Sequence, residues 1–252
     1  MANPMHQFEI APLVPFTAGS LDLSFTNSSL WMMIAVFVSV VFFTIASSKK
    51  SIIPGRLQLM AEGAYNFVSD LITDNMGGPD GKRGREYFPL VFTLFMFILL
   101  GNVLGLIPYS FTYTSHLAVT AGLALLVFFA VLIIGVVRHG FHFFSLFIPS
   151  GVPGALIPLV VIIEFISFLS RPVTLSVRLF ANMVAGHVML KVIAGFSIMF
   201  ATIGGAAWLG TILPVAMNIV MIGFELFIAF IQAYVFAVLT CIYLKDTIEI
   251  EH

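Results

Sequence analysis

Long uninterrupted apolar runs constrain the fold of this chain more than any other feature. Residues 28–47, 87–109 and 117–137 contain no Asp, Glu, Lys or Arg, whereas a helix on a soluble protein needs a polar outer face. Hydrophobic residues make up 60% of the 252 residues and charged residues only 9%, too little polar surface for a soluble domain of this length. Each run has the ~20 residues that cross a bilayer as a helix. The sequence therefore predicts an all-α integral membrane protein.

The chain is predicted to form one membrane domain with about five embedded helices and one surface helix. In residues 55–75 apolar residues recur at helical spacing, but Glu62, Asp70 and Asp74 interrupt them. This pattern favours an amphipathic helix along the inner membrane surface. The other predicted parts are an exported N-terminal tail (1–27), a first span (28–47), a two-span hairpin (87–137) and a long tilted hairpin (154–244).

The positions of Lys and Arg predict the orientation in the membrane. If the tail is exported, the outer segments are residues 1–27, 108–116 and about 198–212, and none of them carries Lys or Arg. The basic groups of the loops then lie on the cytoplasmic side, as the positive-inside rule requires: Lys49 to Arg85, Arg138 and Lys245. We therefore expect the N-terminus outside and the C-terminus in the cytoplasm.

The segment from Gly154 to about Gly195 is too long for a simple span. It stays apolar for about forty residues, which is ~60 Å of helix, or twice the ~30 Å core of a bilayer. Pro172 could break it, but Arg171-Pro172-Val173-Thr174 has no loop composition, and a proline kink is tolerated inside a membrane helix. We predict one tilted, kinked helix.

Polar residues in the last two long segments recur at a spacing of seven. Glu164, Arg171 and Arg178 lie two helical turns apart on one face, and Asn182 continues that face. The following segment repeats the spacing with three further residues: Asn218, Glu225 and Gln232. Two facing polar stripes are predicted.

A fold-back near residue 205 would pair residues whose numbers add to about 410. The predicted pairs are Arg178 with Gln232, His187 with Glu225, and Lys191 with Asn218. Such pairs could be structural hydrogen bonds and ion pairs that lock a helix hairpin. However, an excess of permanent cations on one face would be a poor way to hold helices together, so the pattern favours an ion path.

Arg178 is the costliest of these groups. A guanidinium cannot lose its proton in a protein, and placing it in hydrocarbon costs at least ~3 kcal/mol. We therefore expect Arg178 to face a polar path or an anionic partner.

Two smaller polar motifs have structural interpretations. For Asn102 an interhelical hydrogen bond is favoured over a place on an aqueous path. His139 and His142 lie three residues apart beside Arg138, but no Cys or carboxylate is close in sequence to complete a metal site. They are interpreted as a basic cluster at the membrane interface, and we expect neither a metal ion nor a cofactor.

The residues that carry the polar stripe closely resemble a known family. The run from Arg171 to His187, RPVTLSVRLFANMVAGH, followed by Phe224-Glu225 and Gln232-Ala233-Tyr234-Val235-Phe236, resembles subunit a of F-type ATP synthases. Residues 5–10 and 149–153 extend the resemblance over nearly the whole chain. Many bacterial members carry the acid at position 187 and the histidine at 225. The exchanged form found here is similar to the alphaproteobacterial and mitochondrial version.

The resemblance implies a non-catalytic stator that conducts protons through two offset half-channels beside a ring of c subunits. Arg178 would face each ring carboxylate in turn, and the path would be lined or bordered by Asn182, His187, Glu225 and Gln232. A second group is a candidate for the other half-channel or for docking the ring: Glu164, Arg171, Lys191 and Asn218.

The resemblance also implies partners and a membrane. The partners are the c-subunit ring, b-type subunits of the peripheral stalk, the rest of the ATP synthase and membrane lipid, with no nucleic acid. The implied location is a bacterial inner membrane, with the mitochondrial inner membrane as the alternative.

Two other functions remain open from the residues alone. A secondary transporter would use Arg178 as an anion site and would be expected to contain internal repeats, and none is apparent. A structural scaffold would tolerate neutral replacements of Arg178, His187, Glu225 and Gln232.

Overall fold

The computed structural model of the chain describes residues 9–18, 21–22, 24–48, 54–77, 84–107, 110–140, 143, 156–203 and 205–248. His142 and the segment 149–153 lie outside these ranges. The basic cluster around His139 and His142 therefore stays a prediction.

Six α-helices form most of the described part of the chain: α1 (Asn27–Ser48), α2 (Arg56–Met76), α3 (Phe88–Gly105), α4 (Leu117–His139), α5 (Ile157–Ile203) and α6 (Ile212–Ile248). Short 3-10 turns precede α3, α4 and α6: Arg85–Tyr87, Tyr113–Ser115 and Gly205–Thr211. Within the described residues, the five helices other than α2 are long and apolar enough to cross a membrane. The predicted all-α membrane protein is confirmed.

The second helix, α2, is amphipathic as its sequence predicts. Its buried apolar residues include Val68 and Ile72, whereas its three acids, Glu62, Asp70 and Asp74, are exposed. The charged face keeps the carboxylates out of the apolar interior, where an unpaired charge would be costly.

The N-terminal segment contains short strands that the sequence analysis did not predict. They pair antiparallel as β1 (Pro12–Val14) with β4 (Phe25–Thr26) and β2 (Thr17–Ala18) with β3 (Leu21–Asp22). Asn27 ties the outer pair to α1, because its Oδ1 accepts from the Ala11 N–H at 3.3 Å and its Nδ2 donates to the Glu9 carbonyl at 3.1 Å. The same Oδ1 also accepts from the adjacent Ser28 N–H at 2.9 Å, at the start of α1.

The chain forms two compact units. The first comprises Met1–Phe42, Met96–His116 and Leu179–Ala233, and the second comprises Phe43–Phe95, Leu117–Arg178 and Tyr234–His252. α4 lies wholly in the second unit, and α5 and α6 each supply residues to both.

Ring and ion contacts organise the second unit. The Phe67 ring of α2 lies 5.5 Å from that of Phe95 and 5.9 Å from that of Tyr234. Arg138, at the end of α4, donates to the Glu86 carboxylate just before α3. This contact joins two residues that the charge pattern assigns to the cytoplasmic side.

α5 is a single helix of 47 residues that continues through Pro172, as predicted. Hydroxyls on both sides of the proline bond helix carbonyls: Ser170 donates to Ser167 at 2.7 Å and Thr174 to Ser170 at 3.1 Å. At ~1.5 Å per residue the helix is ~70 Å long, so it can remain within a ~30 Å apolar layer only if it is steeply inclined.

Candidate functional site

The two predicted ionisable partners on α5 and α6 meet inside the first unit. His187 Nε2 lies 3.8 Å from Glu225 Oε1. Both residues are buried, with 9% and 2% of their surfaces exposed. The predicted fold-back register is therefore observed at this pair, which places an imidazole beside a carboxyl group within two membrane-length helices.

A third residue completes this cluster, and the sequence analysis missed it. Thr112, in the segment between α3 and α4, places its Oγ1 2.9 Å from the same Nε2 of His187. A threonine in a short loop has no periodic signal, so its contact with His187 could not be found from spacing alone. His187, Glu225 and Thr112 are called the buried triad below.

Two glycines allow the triad to pack this closely. A Cβ added to Gly186 would lie 2.6 Å from Glu225 Oε1, and one added to Gly105 would lie 2.3 Å from Thr112 Oγ1. Both distances are far below van der Waals contact. The glycines thus give the backbones of α5 and α3 room for the carboxyl and the hydroxyl.

The Glu225 carboxyl group makes no hydrogen bond within the described residues. Buried polar groups usually have a partner, and an exception calls for an explanation such as a chemical role or an ordered water. A carboxyl group in this state can bind or release a proton without first breaking a bond to a donor. This is the chemical capacity that the arrangement offers.

A second polar network holds the Thr112 segment against α3 and α6. Thr114 Oγ1 donates to Asn102 Oδ1 at 2.7 Å, and Asn102 Nδ2 donates to the Ala229 carbonyl at 3.4 Å. Both Asn102 and Thr114 are fully buried. The interhelical hydrogen bond expected for Asn102 is present.

Asn218 lies against α5 at the level that the fold-back predicts. In the amide orientation that satisfies both groups, it donates to the Leu190 carbonyl at 3.1 Å and accepts from the Ala194 N–H at 3.3 Å. These residues flank Lys191, which is half-buried. Asn218 thus bonds the backbone of α5 on either side of Lys191.

Arg171 forms an ion pair in the second unit. Its Nη1 donates to Asp246 Oδ2 at 3.2 Å. Its Cζ lies 4.8 Å from the Tyr243 ring centre and 5.6 Å from that of Phe168, within the range of cation–π attraction. Sequence reasoning missed Asp246, although it is the only acid of α6 besides Glu225.

The remaining predicted site residues differ in exposure. Arg178 and Asn182 are exposed on α5, Glu164 is half-buried on the same helix, and Gln232 is buried on α6 with 7% of its surface accessible. Among the residues that the structure describes, Asn182 and Gln232 take no part in the contacts of the triad. The predicted pairing of Arg178 with Gln232 stays a prediction.

Comparison with known proteins identifies the family. The sequence model described as ATP synthase A chain matches residues 29–245. Subunit a of the ATP synthase of Chelativorans sp. (strain BNC1) is 52% identical over 99% of this chain and 99% of its own length. Subunit a of Rhodospirillum rubrum is 53% identical over 99% of this chain and 99% of its own length. Subunit a of Rhizobium leguminosarum bv. trifolii (strain WSM2304) is 52% identical over 98% of this chain and 97% of its own length. The match spans all of α2 to α5 and most of α1 and α6, so the chain belongs to the ATP synthase subunit a family of membrane proteins.

Proposed function

We propose that this chain is the non-catalytic, proton-translocating stator of a rotary ATP synthase. Two offset half-channels would lead protons to and from a ring of c subunits, and b-type stalk subunits would hold the chain against rotation. The proposed location is a bacterial inner membrane, with the mitochondrial inner membrane as the alternative. The N-terminus is exported and the C-terminus is cytoplasmic, in accord with the distribution of Lys and Arg.

The buried triad is the observation that carries this proposal. His187 and Glu225 are two proton-exchanging groups 3.8 Å apart, at depths where ionisable residues are costly and mark ion paths by default. The bare carboxyl oxygens of Glu225 within the described residues support proton exchange over a purely structural ion pair. We assign the triad to the half-channel open to the exported side, because Thr112 belongs to the segment that the charge pattern places outside.

Arg178 supports the second half of the proposal. It is exposed near the middle of α5, among exposed apolar side chains such as Val173 and Val177, which are 60% and 46% accessible. A guanidinium facing lipid there would cost at least ~3 kcal/mol. A carboxylate on a neighbouring subunit would remove that cost, and this is the role that we assign to the ring.

The chemistry of such a ring follows from its charge. A protonated ring carboxyl is neutral and crosses lipid, whereas its ionised form needs a compensating charge. Arg178 would favour the ionised form at close range, so an arriving carboxyl would give up its proton. Because guanidinium keeps its own protons, it would also separate the two half-channels. Two further residues are proposed to border the path: Asn182, one turn further along α5, and Gln232. Candidates for the other half-channel or for docking the ring are Glu164, Arg171, Lys191 and Asn218.

The proposal is tested by replacing the carboxyl group of the triad in the assembled enzyme. In inverted membrane vesicles, Glu225→Gln should reduce ATP-driven proton pumping by about tenfold or more, because the amide cannot exchange a proton. Glu62→Gln, the same change on the exposed face of α2, is the matched control and should pump normally. Normal pumping by assembled Glu225→Gln and His187→Ala complexes would contradict the proposal.

A further inference from the structure

We propose that Thr112 is a positioning residue for His187. Its hydroxyl oxygen accepts the hydrogen on His187 Nε2, which sets the tautomer of the imidazole and keeps the ring beside Glu225 without a bond to it. This inference rests on the proposed function, since it names a residue that prepares the triad for proton exchange.

The single hydrogen of the hydroxyl group limits the bonds that Thr112 can donate to one. Thr112 Oγ1 donates to the Gly105 carbonyl at 3.2 Å and lies 2.9 Å from His187 Nε2. A threonine hydroxyl has one hydrogen and two acceptor lone pairs. We infer that the hydrogen goes to the Gly105 carbonyl, which can only accept, and that the oxygen then accepts from His187; in this arrangement Nε2 carries a hydrogen.

The same nitrogen faces Glu225, and the distances decide which contact holds it. Nε2 lies 3.8 Å from Glu225 Oε1, which is too long for a hydrogen bond, while the contact with Thr112 is of ordinary length. Thr112 therefore competes with Glu225 for the Nε2 hydrogen and holds it. The Glu225 oxygens, which have no hydrogen bond in the described residues, stay free for proton exchange.

The Thr112 segment is held in place from several directions. Ser115 Oγ donates to the Thr112 carbonyl at 2.6 Å, and the neighbouring Tyr113 hydroxyl donates to the Phe97 carbonyl at 2.7 Å. The bond from Thr114 to Asn102 anchors the next residue. Thr112 itself is 5% exposed and fits against Gly105, where a Cβ would collide with it. The segment thus presents one hydroxyl to one ring nitrogen.

Loss of the hydroxyl should let the Nε2–H turn to Glu225. A hydrogen bond to a charged group is stronger than one to a neutral group. The Nε2–H of His187 would then donate a strong hydrogen bond to the ionised carboxylate of Glu225. Both would exchange protons with their surroundings more slowly. The predicted defect is in proton conduction, with assembly of the complex intact.

The test compares a replacement that removes the hydroxyl group with one that keeps it. Passive proton conduction is measured in membrane vesicles from which the catalytic sector has been stripped. Thr112→Val removes the hydroxyl and should lower conduction about three- to tenfold, the effect of one net hydrogen bond. Thr112→Ser keeps the hydroxyl and should restore conduction to nearly that of the parent. Thr240→Val is the matched control, because Thr240 is also fully buried but, among the described residues, its hydroxyl bonds the Phe236 carbonyl of its own helix at 2.8 Å and no side chain.

Nitrogen-15 solid-state NMR of the histidine-labelled complex provides a second readout that does not depend on any Thr112 variant assembling. The ring signals of His187 are those lost in His187→Gln. We expect the Nε2–H tautomer in the parent and in Thr112→Ser, and a changed ring signal in Thr112→Val. The Nδ1–H tautomer in the parent complex would overturn the inference.

The conduction data separate this inference from the proposed function. Parent-like conduction by assembled Thr112→Val, or equal loss in Thr112→Ser and Thr112→Val, would overturn the role of Thr112 while His187→Ala still abolishes conduction. Parent-like conduction by His187→Ala would instead overturn the proton path itself.

Discussion

Arg171 of α5 and Asp246 of α6 form an ion pair, with Nη1 and Oδ2 3.2 Å apart, on which the ring of Tyr243 packs. The Asp246 side chain is 37% accessible, so solvent screens the pair. Its contribution should be modest and close to that of surface pairs. The pair lies near the C-terminal end of α6 and connects the two helices of the hairpin.

The first prediction concerns the ion pair between Arg171 and Asp246. Arg171→Gln and Asp246→Asn should each lower the thermal stability of the assembled complex. A double-mutant cycle should give a coupling energy of about 0.5–1 kcal/mol, as for partly exposed pairs. The exchanged pair, Arg171→Asp with Asp246→Arg, should recover part of the loss. Additive single effects would show that the two side chains do not interact.

Cross-linking tests the register of α5 against α6. A Cβ at Gly186 would lie 3.3 Å from Glu225 Cγ, close to where a cysteine sulfur at 225 would stand. Gly186→Cys with Glu225→Cys, in a background without Cys241, should therefore form a disulfide upon oxidation. Gly195→Cys with Glu225→Cys should not, because a Cβ at Gly195 has no neighbour within 4 Å among the residues that the structure describes. Linkage at 195 in place of 186 would show a shifted register.

The close approach of Gly186 predicts a conduction defect from one methyl group. In Gly186→Ala the new Cβ would lie 2.6 Å from Glu225 Oε1, so the carboxyl must shift from its position beside His187. The off-rotamer cost is ~1 kcal/mol, and passive proton conduction should fall about fivefold at unchanged assembly. Gly195→Ala is the control on the same helix, because its new Cβ would meet no described atom within 4 Å. Equal conduction by both variants would mean that the position of the carboxyl does not matter.

His116 predicts a dependence of stability on pH. It lies outside the helices, with its ring stacked on Phe111 at 5.0 Å, and burial lowers the pKa of its imidazole below the ordinary 6.5. Below pH 6.5 the unfolded chain therefore binds a proton that the folded chain resists, so stability is retained above that pH and falls as the pH drops below it. The thermal midpoint of the complex should decline less between pH 7.5 and pH 5.5 in His116→Phe than in the parent, and equal declines would exclude a role for His116.

Much of the hairpin could be predicted from the sequence. The spacing of polar residues and the break near residue 205 placed His187 beside Glu225, because two antiparallel helices of equal rise pair residues at equal distance from their turn. Applied to Arg171, the same rule would give a partner near residue 239, two turns from the observed Asp246. The rule treats residues as points along an axis, whereas a long arginine side chain reaches along the helix to its partner.

Other features depend on contacts that have no local signal. The contact of Thr112 with His187 arises when a short segment without periodicity is held by Asn102 and fits against Gly105. The outer pair of short strands before α1 is likewise held by bonds from Asn27 to Ala11 and Glu9. Tertiary partners decided both conformations, and the sequence does not reveal those partners in advance.

The central claim is that Arg178 faces a moving carboxylate and couples its deprotonation to rotation. ATP-driven proton pumping by assembled complexes carrying Arg178→Ala, measured in vesicles with equal amounts of enzyme, tests it most directly. The account predicts that pumping is abolished while the complex assembles normally. Pumping at the rate of the parent by a fully assembled Arg178→Ala complex would contradict it.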